Sequence, residues 1–257
     1  MNKSLHTYKQ LFPRPQWDKK TKDDLILDFT YHSNKIEGLG MSYGETISFL
    51  KYGLVENKQL ENKETMGDIT MLSNHQKALD LIFSQYLKNE LTTEFIQNVH
   101  EQLLTTGSFL DENYTPGYYR GDEAMTLRPD GTTKYFLYDN QIPDAMVHLV
   151  SWVNGSTKNA HFEGTENHPF FIAVKLHVDF LNIHPFRDGN GRTARLLMNM
   201  VNMRYGIPPF SPKSDKENRV RYYETFDLVD KLGSAIPMVT YLGNQLMEIM
   251  ETAIRKK

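Results

Sequence analysis

Cysteine is absent from all 257 residues. Its absence excludes disulfides, thiolate metal sites and cysteine nucleophiles, and it fits a reducing compartment. An excess of one charge is lacking too: 29 Lys and Arg stand against 32 Asp and Glu, a formal net charge of −3. No broad positive field therefore favours nucleic acid. No run approaches the roughly 18 apolar residues of a membrane span. The opening MNKSLHTYKQLFPRPQWDKK holds no apolar stretch of signal-peptide length. Together these absences predict a soluble, cytoplasmic chain with neither a membrane nor a nucleic acid as partner. Hydrophobic residues at 39% and charged residues at 24% predict a globular fold rather than disorder.

What is present is mostly helical. Residues 1–20 read as an irregular arm, because Pro13 and Pro15 block helix. Helical patterns follow over Thr21–Ile36, with Gly38 just past its end, and then after Ser42, where Ser42 and Glu45 have capping-box spacing. Further helices are expected over Leu60–Leu87, Leu91–Thr105, Ile142–Asn154, Asn167–Ile183, from the 189–191 turn to Tyr205, Lys216–Lys231 and Pro237–Lys257. Residues 107–140 differ, with Gly107, Pro116, Gly117, Gly121, Pro129 and Gly131 breaking any helix. Arg128–Thr132 reads as a turn between extended segments Ala124–Arg128 and Thr133–Tyr138, hence a β-hairpin. The expected fold class is all-α with one β-hairpin. No repeat or linker divides the chain. The expected organisation is an N-terminal helical region, 1–88, followed by a core, 89–257, with the hairpin at about 118–138.

Residues 184–195 read His-Pro-Phe-Arg-Asp-Gly-Asn-Gly-Arg-Thr-Ala-Arg. Gly189, Asn190 and Gly191 form a small-residue turn opening a helix, whose first N–H groups lack intrahelical partners and suit an anion. Arg192 and Arg195, three apart, share a helical face and can grip phosphate oxygens. Asp188 is a candidate Mg²⁺ ligand, since that ion binds through one or two carboxylates plus substrate phosphates. His184, just before the turn, suits a general base. His177, seven residues earlier, has apolar neighbours and reads as a hydrogen-bonded core histidine rather than a metal ligand.

This string resembles the signature of the Fic family, His-Pro-Phe-x-Asp/Glu-Gly-Asn-Gly-Arg-x-x-Arg, at every fixed position. The resemblance runs most strongly from about Leu91 to Tyr205. It implies a helical Fic bundle that transfers AMP from ATP to a protein hydroxyl, with His184 taking the hydroxyl proton. It implies that Asp188 holds Mg²⁺ between the α- and β-phosphates and that Asn190 donates to an α-phosphate oxygen. Arg192 and Arg195 would hold the distal phosphates, Arg195 nearest the γ-phosphate. Asn218-Arg219-x-Arg221-Tyr222-Tyr223 resembles the family's nucleotide-base segment; Tyr222 and Tyr223 read equally well as a core pair. The hairpin is implied to dock the target protein as an added strand.

Ser33-Asn34-Lys35-Ile36-Glu37-Gly38 resembles the inhibitory motif that one class of Fic proteins carries before the core. Ser33 and Glu37 are helical neighbours, and Gly38 suits a C-cap. The resemblance implies an ion pair from Glu37 to Arg195 that withholds this arginine from ATP. A carboxylate at a helix C-terminus opposes the macrodipole, so Glu37 is expected to have a partner elsewhere.

Alternatives keep the fold and change the chemistry: hydrolytic removal of AMP, or another nucleotide or phosphate donor. A different class is a non-catalytic nucleotide-binding regulatory module. A winged-helix tail is not expected, because only about twenty helical residues follow Pro237. Homo-oligomerisation and self-modification are open, with Ser42, Tyr43 and Tyr118 as acceptors by location alone.

Overall fold

The computed structural model describes residues 1–11, 19–54, 63–88, 90–104, 115–128 and 130–256. Its helices are α1 (Asn2–Leu11), α2 (Lys19–Ile36), α3 (Tyr43–Tyr52), α4 (Lys63–Gln85), α5 (Thr93–Leu104), α6 (Ile142–Lys158), α7 (Pro169–Ile183), α8 (Asn190–Arg204), α9 (Lys216–Leu232) and α10 (Ile236–Arg255). A single antiparallel hairpin joins β1 (Met125–Leu127) to β2 (Thr133–Tyr135) in the register Met125↔Tyr135, Thr126↔Lys134 and Leu127↔Thr133. The fold is therefore the expected all-α bundle with one small hairpin. Among the described residues no helix is long and apolar enough to cross a membrane.

The bundle is organised around α8. Every residue from Arg192 to Met203 is buried, as befits a helix enclosed on all sides. Its closest companion is α7, joined to it through the 184–189 loop, and α4, α5 and α2 also pack on it. Such a helix needs internal partners for its polar groups. Asn199 supplies one solution, donating to the Arg195 and Phe210 carbonyls at 2.8 and 2.7 Å and accepting from the Phe210 N–H at 2.9 Å.

One local signal holds in detail, and one cap is new. Ser42 accepts from the Glu45 N–H while the Glu45 side chain accepts from the Ser42 N–H, the capping box expected for α3. His168, next to Pro169 at the first turn of α7, caps that helix by accepting from the Phe170 N–H at 3.1 Å.

One expectation fails. Asn2–Leu11 is helical rather than an irregular arm, with Leu5 and Tyr8 buried in the main core against α10. Proline stops a helix from continuing but leaves the residues before it free to form one. Pro13 and Pro15 themselves lie outside the described residues, as do Gly107, Pro129, residues 60–62, Thr105 and Lys257. Apolar residues of α1, α2 and α4 join those of α5 to α10 in one core cluster.

Candidate active site

The site begins where α7 stops. His184 is its C-cap, at φ 52° and ψ 59°, the single described non-glycine residue with positive φ. Its N–H donates to the Phe180 carbonyl at 3.0 Å, closing the helix. The chain then turns through Gly189, at φ 72°, into the N-terminus of α8. A Cβ at Gly189 would sit 3.0 Å from Leu104 Cδ1 and 3.3 Å from His100 Nε2, so both conformation and space demand glycine there.

Side chains lock this loop from within. Asn190 spans back to Phe186, donating to its carbonyl at 2.6 Å and accepting from its N–H at 3.0 Å. Asn190 thus holds the turn closed, a role distinct from the phosphate contact that resemblance implies. His100 of α5 accepts from the Gly117 N–H through Nδ1 at 2.9 Å. That leaves Nε2–H to donate to the Asp188 carbonyl, also at 2.9 Å, while the ring stacks on Phe186 at 3.7 Å. Arg120 donates through Nε to the His184 carbonyl at 2.8 Å, and its backbone N–H donates to the Pro185 carbonyl at 2.9 Å. Neither His100 nor Arg120 belongs to a sequence motif, yet both hold the loop.

The loop presents charge in two layers. Asp188 is 58% exposed at its side chain; one carboxylate oxygen accepts from the Gly189 N–H at 2.6 Å and the other lies 3.6 Å from Arg192. Among the described residues no group of three metal-binding side chains exists. A lone exposed carboxylate beside an anion loop is a donor set that fits Mg²⁺ shared with phosphates, not an all-protein cage. Arg192 is buried, and its Nε has no hydrogen-bond partner among the described residues.

Deeper in α8, Arg195 is 1% exposed. It donates through Nε to Ser33 Oγ at 3.0 Å, and through Nη2 to the Ser33 carbonyl at 2.9 Å and Glu37 Oε1 at 2.6 Å. Burial opposes its charge, but Glu37 and Tyr222 outweigh burial and raise its pKa. Glu37 crosses the first turn of α8 so closely that a Cβ on Gly191 would lie 2.3 Å from Glu37 Oε1. A carboxylate therefore sits at the helix N-terminus that the turn offers to an anion. Glu37 thereby finds its expected partner. Gly38 follows at φ 102°.

A cleft of about 590 Å³ gathers His184, Gly191, Arg195, Glu37, Tyr222 and Tyr223, together with Lys134, Phe136, Asn182, Asp227 and Asp230. Asp188, Gly189, Asn190 and Arg192 belong to the adjoining loop and first turn. Tyr222 is buried, its hydroxyl 2.7 Å from His177 Nε2, so His177 is the hydrogen-bonded core histidine expected; Tyr223 is 42% exposed. Phe136 of the hairpin stacks on the His184 ring at 4.1 Å. The second set was not legible as a motif. Its one signal is charge spacing: Asp227 and Asp230 share a face of α9, and the hairpin carries Arg128 and Lys134. Of the acceptor hydroxyls named by location, Tyr43 donates to Asp28, Ser42 caps α3 and Tyr118 is 68% exposed.

Burial, Arg120 and Lys134 hold His184 down to a pKa of about 4, against a hydrogen bond with the Leu181 backbone and the charge of Asp188. Burial likewise lowers His100 to about 4 and His177 to about 3. All three are neutral in the fold, whereas the unfolded chain takes up their protons near 6.5. Their contribution to stability is complete above that pH and is lost as pH falls toward 4, at up to about 4 kcal/mol per pH unit for three protons. Thermal melts should show Tm level from pH 8 to 7 and falling steeply between pH 6 and 4.5. A level Tm across that lower range would contradict the assignment.

Residues 90–201 match the Fic/DOC family. The chain is 29% identical over 231 residues to a protein adenylyltransferase Fic of Aedes aegypti, covering 88% of this chain and 41% of that protein. It is 27% identical over 248 residues to protein adenylyltransferase fic-1 of Caenorhabditis briggsae, covering 95% and 45%. It therefore spans less than half the length of these curated relatives. Its fold matches a crystal structure of a Fic domain containing signaling protein from Bacteroides thetaiotaomicron, with a TM-score of 0.85, 27% identity and coverage of 99% and 95%. It also matches Fic-1 of Caenorhabditis elegans, at TM-score 0.74, 25% identity and coverage of 99% and 69%.

Proposed function

We propose that this chain, a Fic-domain protein over residues 90–201, is a protein adenylyltransferase restrained by its own Glu37. One observation carries the reading: a neutral histidine, the N-terminal turn of a buried helix and a buried arginine face one cleft. A triphosphate fits that arrangement, with phosphate oxygens on the N–H groups around Gly191 and on Arg192 and Arg195. Asp188 would hold Mg²⁺, which when bound neutralises phosphate charge. Target hydroxyl and phosphate meet at His184. The hydroxyl proton passes to the imidazole, the oxygen bonds to the α-phosphorus, and the bond to the β-phosphate oxygen breaks, releasing pyrophosphate. Positioning and charge stabilisation supply most of the acceleration.

Restraint follows from the Glu37 contact. While Arg195 is engaged by Glu37 and Ser33, it is withheld from the γ-phosphate. Ser33→Ala removes one of its bonds but leaves the Ser33 carbonyl and Glu37 in place. Transfer should rise about two- to tenfold, less than for loss of the ion pair, because the hydroxyl is a neutral acceptor and the other two acceptors on Arg195 remain.

The test of the function is incubation with Mg²⁺ and ATP labelled at the α-phosphate, read by intact-protein mass and label. Label and an AMP-sized mass gain together support transfer. Label from the γ-phosphate instead would mean phosphorylation, and preference for UTP, GTP or CTP another donor. One further observation favours a second reading. Glu37 lines the same cleft as His184 with 29% of its side chain exposed, so it is also suited to orient water for removal of AMP. Release of AMP from a modified protein, lost in Glu37→Gly, would favour that direction.

Because a neutral imidazole is the working form, transfer should hold level from pH 8 to about 5.5 and fall only as pH nears 4. A fall centred near 6.5 would mean that His184 titrates as an unperturbed histidine.

A further inference from the structure

The two strands of the hairpin bury little apolar surface; the apolar contacts come just after β2, from Phe136 on His184 and from Leu137. Each strand is three residues long, and Met125, Leu127 and Tyr135 are 68%, 73% and 68% exposed. A two-stranded ribbon by itself is marginal in water. Pairing of Thr126 with Lys134 puts these two on the opposite face, and both line the cleft. At the hairpin's root, Arg120 bonds the His184 and Leu137 carbonyls.

Toward the tip, the tie is ionic. Lys134 Nζ lies 2.9 and 2.7 Å from the two oxygens of Asp230 and 2.8 Å from Asn182 Oδ1. Arg128 Nη2 lies 2.6 Å from the same Asp230, and its Nε is 3.4 Å from Asp227. These side chains are only 17–27% exposed, so solvent screens them far less than a surface pair. One carboxylate on α9 thus receives a cation from each side of the hairpin turn.

We propose that Asp230 is a positioning residue: it latches the tip of the hairpin to α9 through Lys134 and Arg128, and so sets the hairpin's height over His184. The consequence for catalysis rests on the adenylyltransferase reading, in which the target docks along the hairpin; the latch itself does not. Without Asp230, Lys134 keeps only the neutral Asn182 and Arg128 keeps only the longer contact with Asp227. The tip then lifts about the Arg120 root.

Amide hydrogen exchange on the full chain tests the latch without any activity. Asp230→Asn should speed exchange of amides 124–128 and 130–136 at least tenfold and leave α7 and α8 unchanged. Asp230→Glu should restore most of the protection. Lys134→Gln should act in the same direction but less, because Arg128 still holds Asp230. Lys134→Gln/Asp230→Asn should fall clearly short of the sum of the single effects, because both break the Lys134–Asp230 contact. Unchanged exchange in Asp230→Asn, or additive effects in the double variant, would overturn the latch. Self-modification in the Glu37→Gly background then reads the positioning. Asp230→Asn should slow transfer at saturating ATP at least fivefold, with Asp230→Glu recovering it. Faster exchange with unaltered transfer would overturn the positioning role. Transfer absent even from the Glu37→Gly parent would count against the adenylyltransferase reading, while exchange still decides the latch.

Discussion

Glu37→Gly should raise AMP transfer about 10- to 150-fold over the wild type. The figure follows from the contact removed. Glu37 Oε1 accepts from Arg195 Nη2 at 2.6 Å, beside an arginine that is 1% exposed. A hydrogen bond to a charged group is worth about 1.5–3 kcal/mol, and each 1.4 kcal/mol is a factor of ten in an equilibrium. The substitution also clears space, because the Glu37 carboxylate overlies Gly191 at the turn where a phosphate would sit. Helix α2 should survive. Ser33 still accepts from Arg195 through its hydroxyl and its carbonyl, and Thr30, one turn earlier, remains 3.2 Å from His75 on α4. Stabilisation by ATP provides a second readout, with Tm rising more in the variant than in the wild type at equal nucleotide. Equal transfer rates and equal nucleotide-induced Tm shifts, with the variant folded, would remove the case for restraint.

Within that released background, His184→Ala should lower transfer by about 10²- to 10⁴-fold, the usual range for loss of a general base. ATP affinity should change little, because on the proposed reading the phosphates rest on Arg192, Arg195 and the N–H groups of the first turn of α8. Separate measurement of nucleotide binding and transfer makes the distinction. A loss of binding equal to the loss of rate would assign His184 a structural role in the loop. A loss of rate alone would support its role as the base.

The part of the site that was readable is the part that is contiguous. His184, Asp188, Gly189, Gly191, Arg192 and Arg195 are near neighbours in the chain, so one string names them all. Glu37 is different. Its contact with Arg195 spans 158 residues, and only a family resemblance joined the two ends. Where neither a string nor a resemblance existed, the groups went unseen. His100, Arg120, Lys134 and Asp230 are ordinary residues in sequence, and they gain meaning only when α5, the hairpin and α9 converge. The helices followed from apolar periodicity and capping residues, as at Ser42 and Glu45. Helix α1 was missed because two prolines were read as governing the whole arm, when they govern only the residues beside and after them.

His184 ends α7 in a left-handed backbone conformation, which costs an L-residue about 1–2 kcal/mol relative to the ordinary region. Glycine would relieve that cost and close the helix equally well. A designer seeking thermal robustness would choose glycine at this position, and on the proposed reading the choice would remove the base. On the proposed reading, backbone comfort and proton transfer thus make opposite demands of one position, and His184 meets the second at the expense of the first.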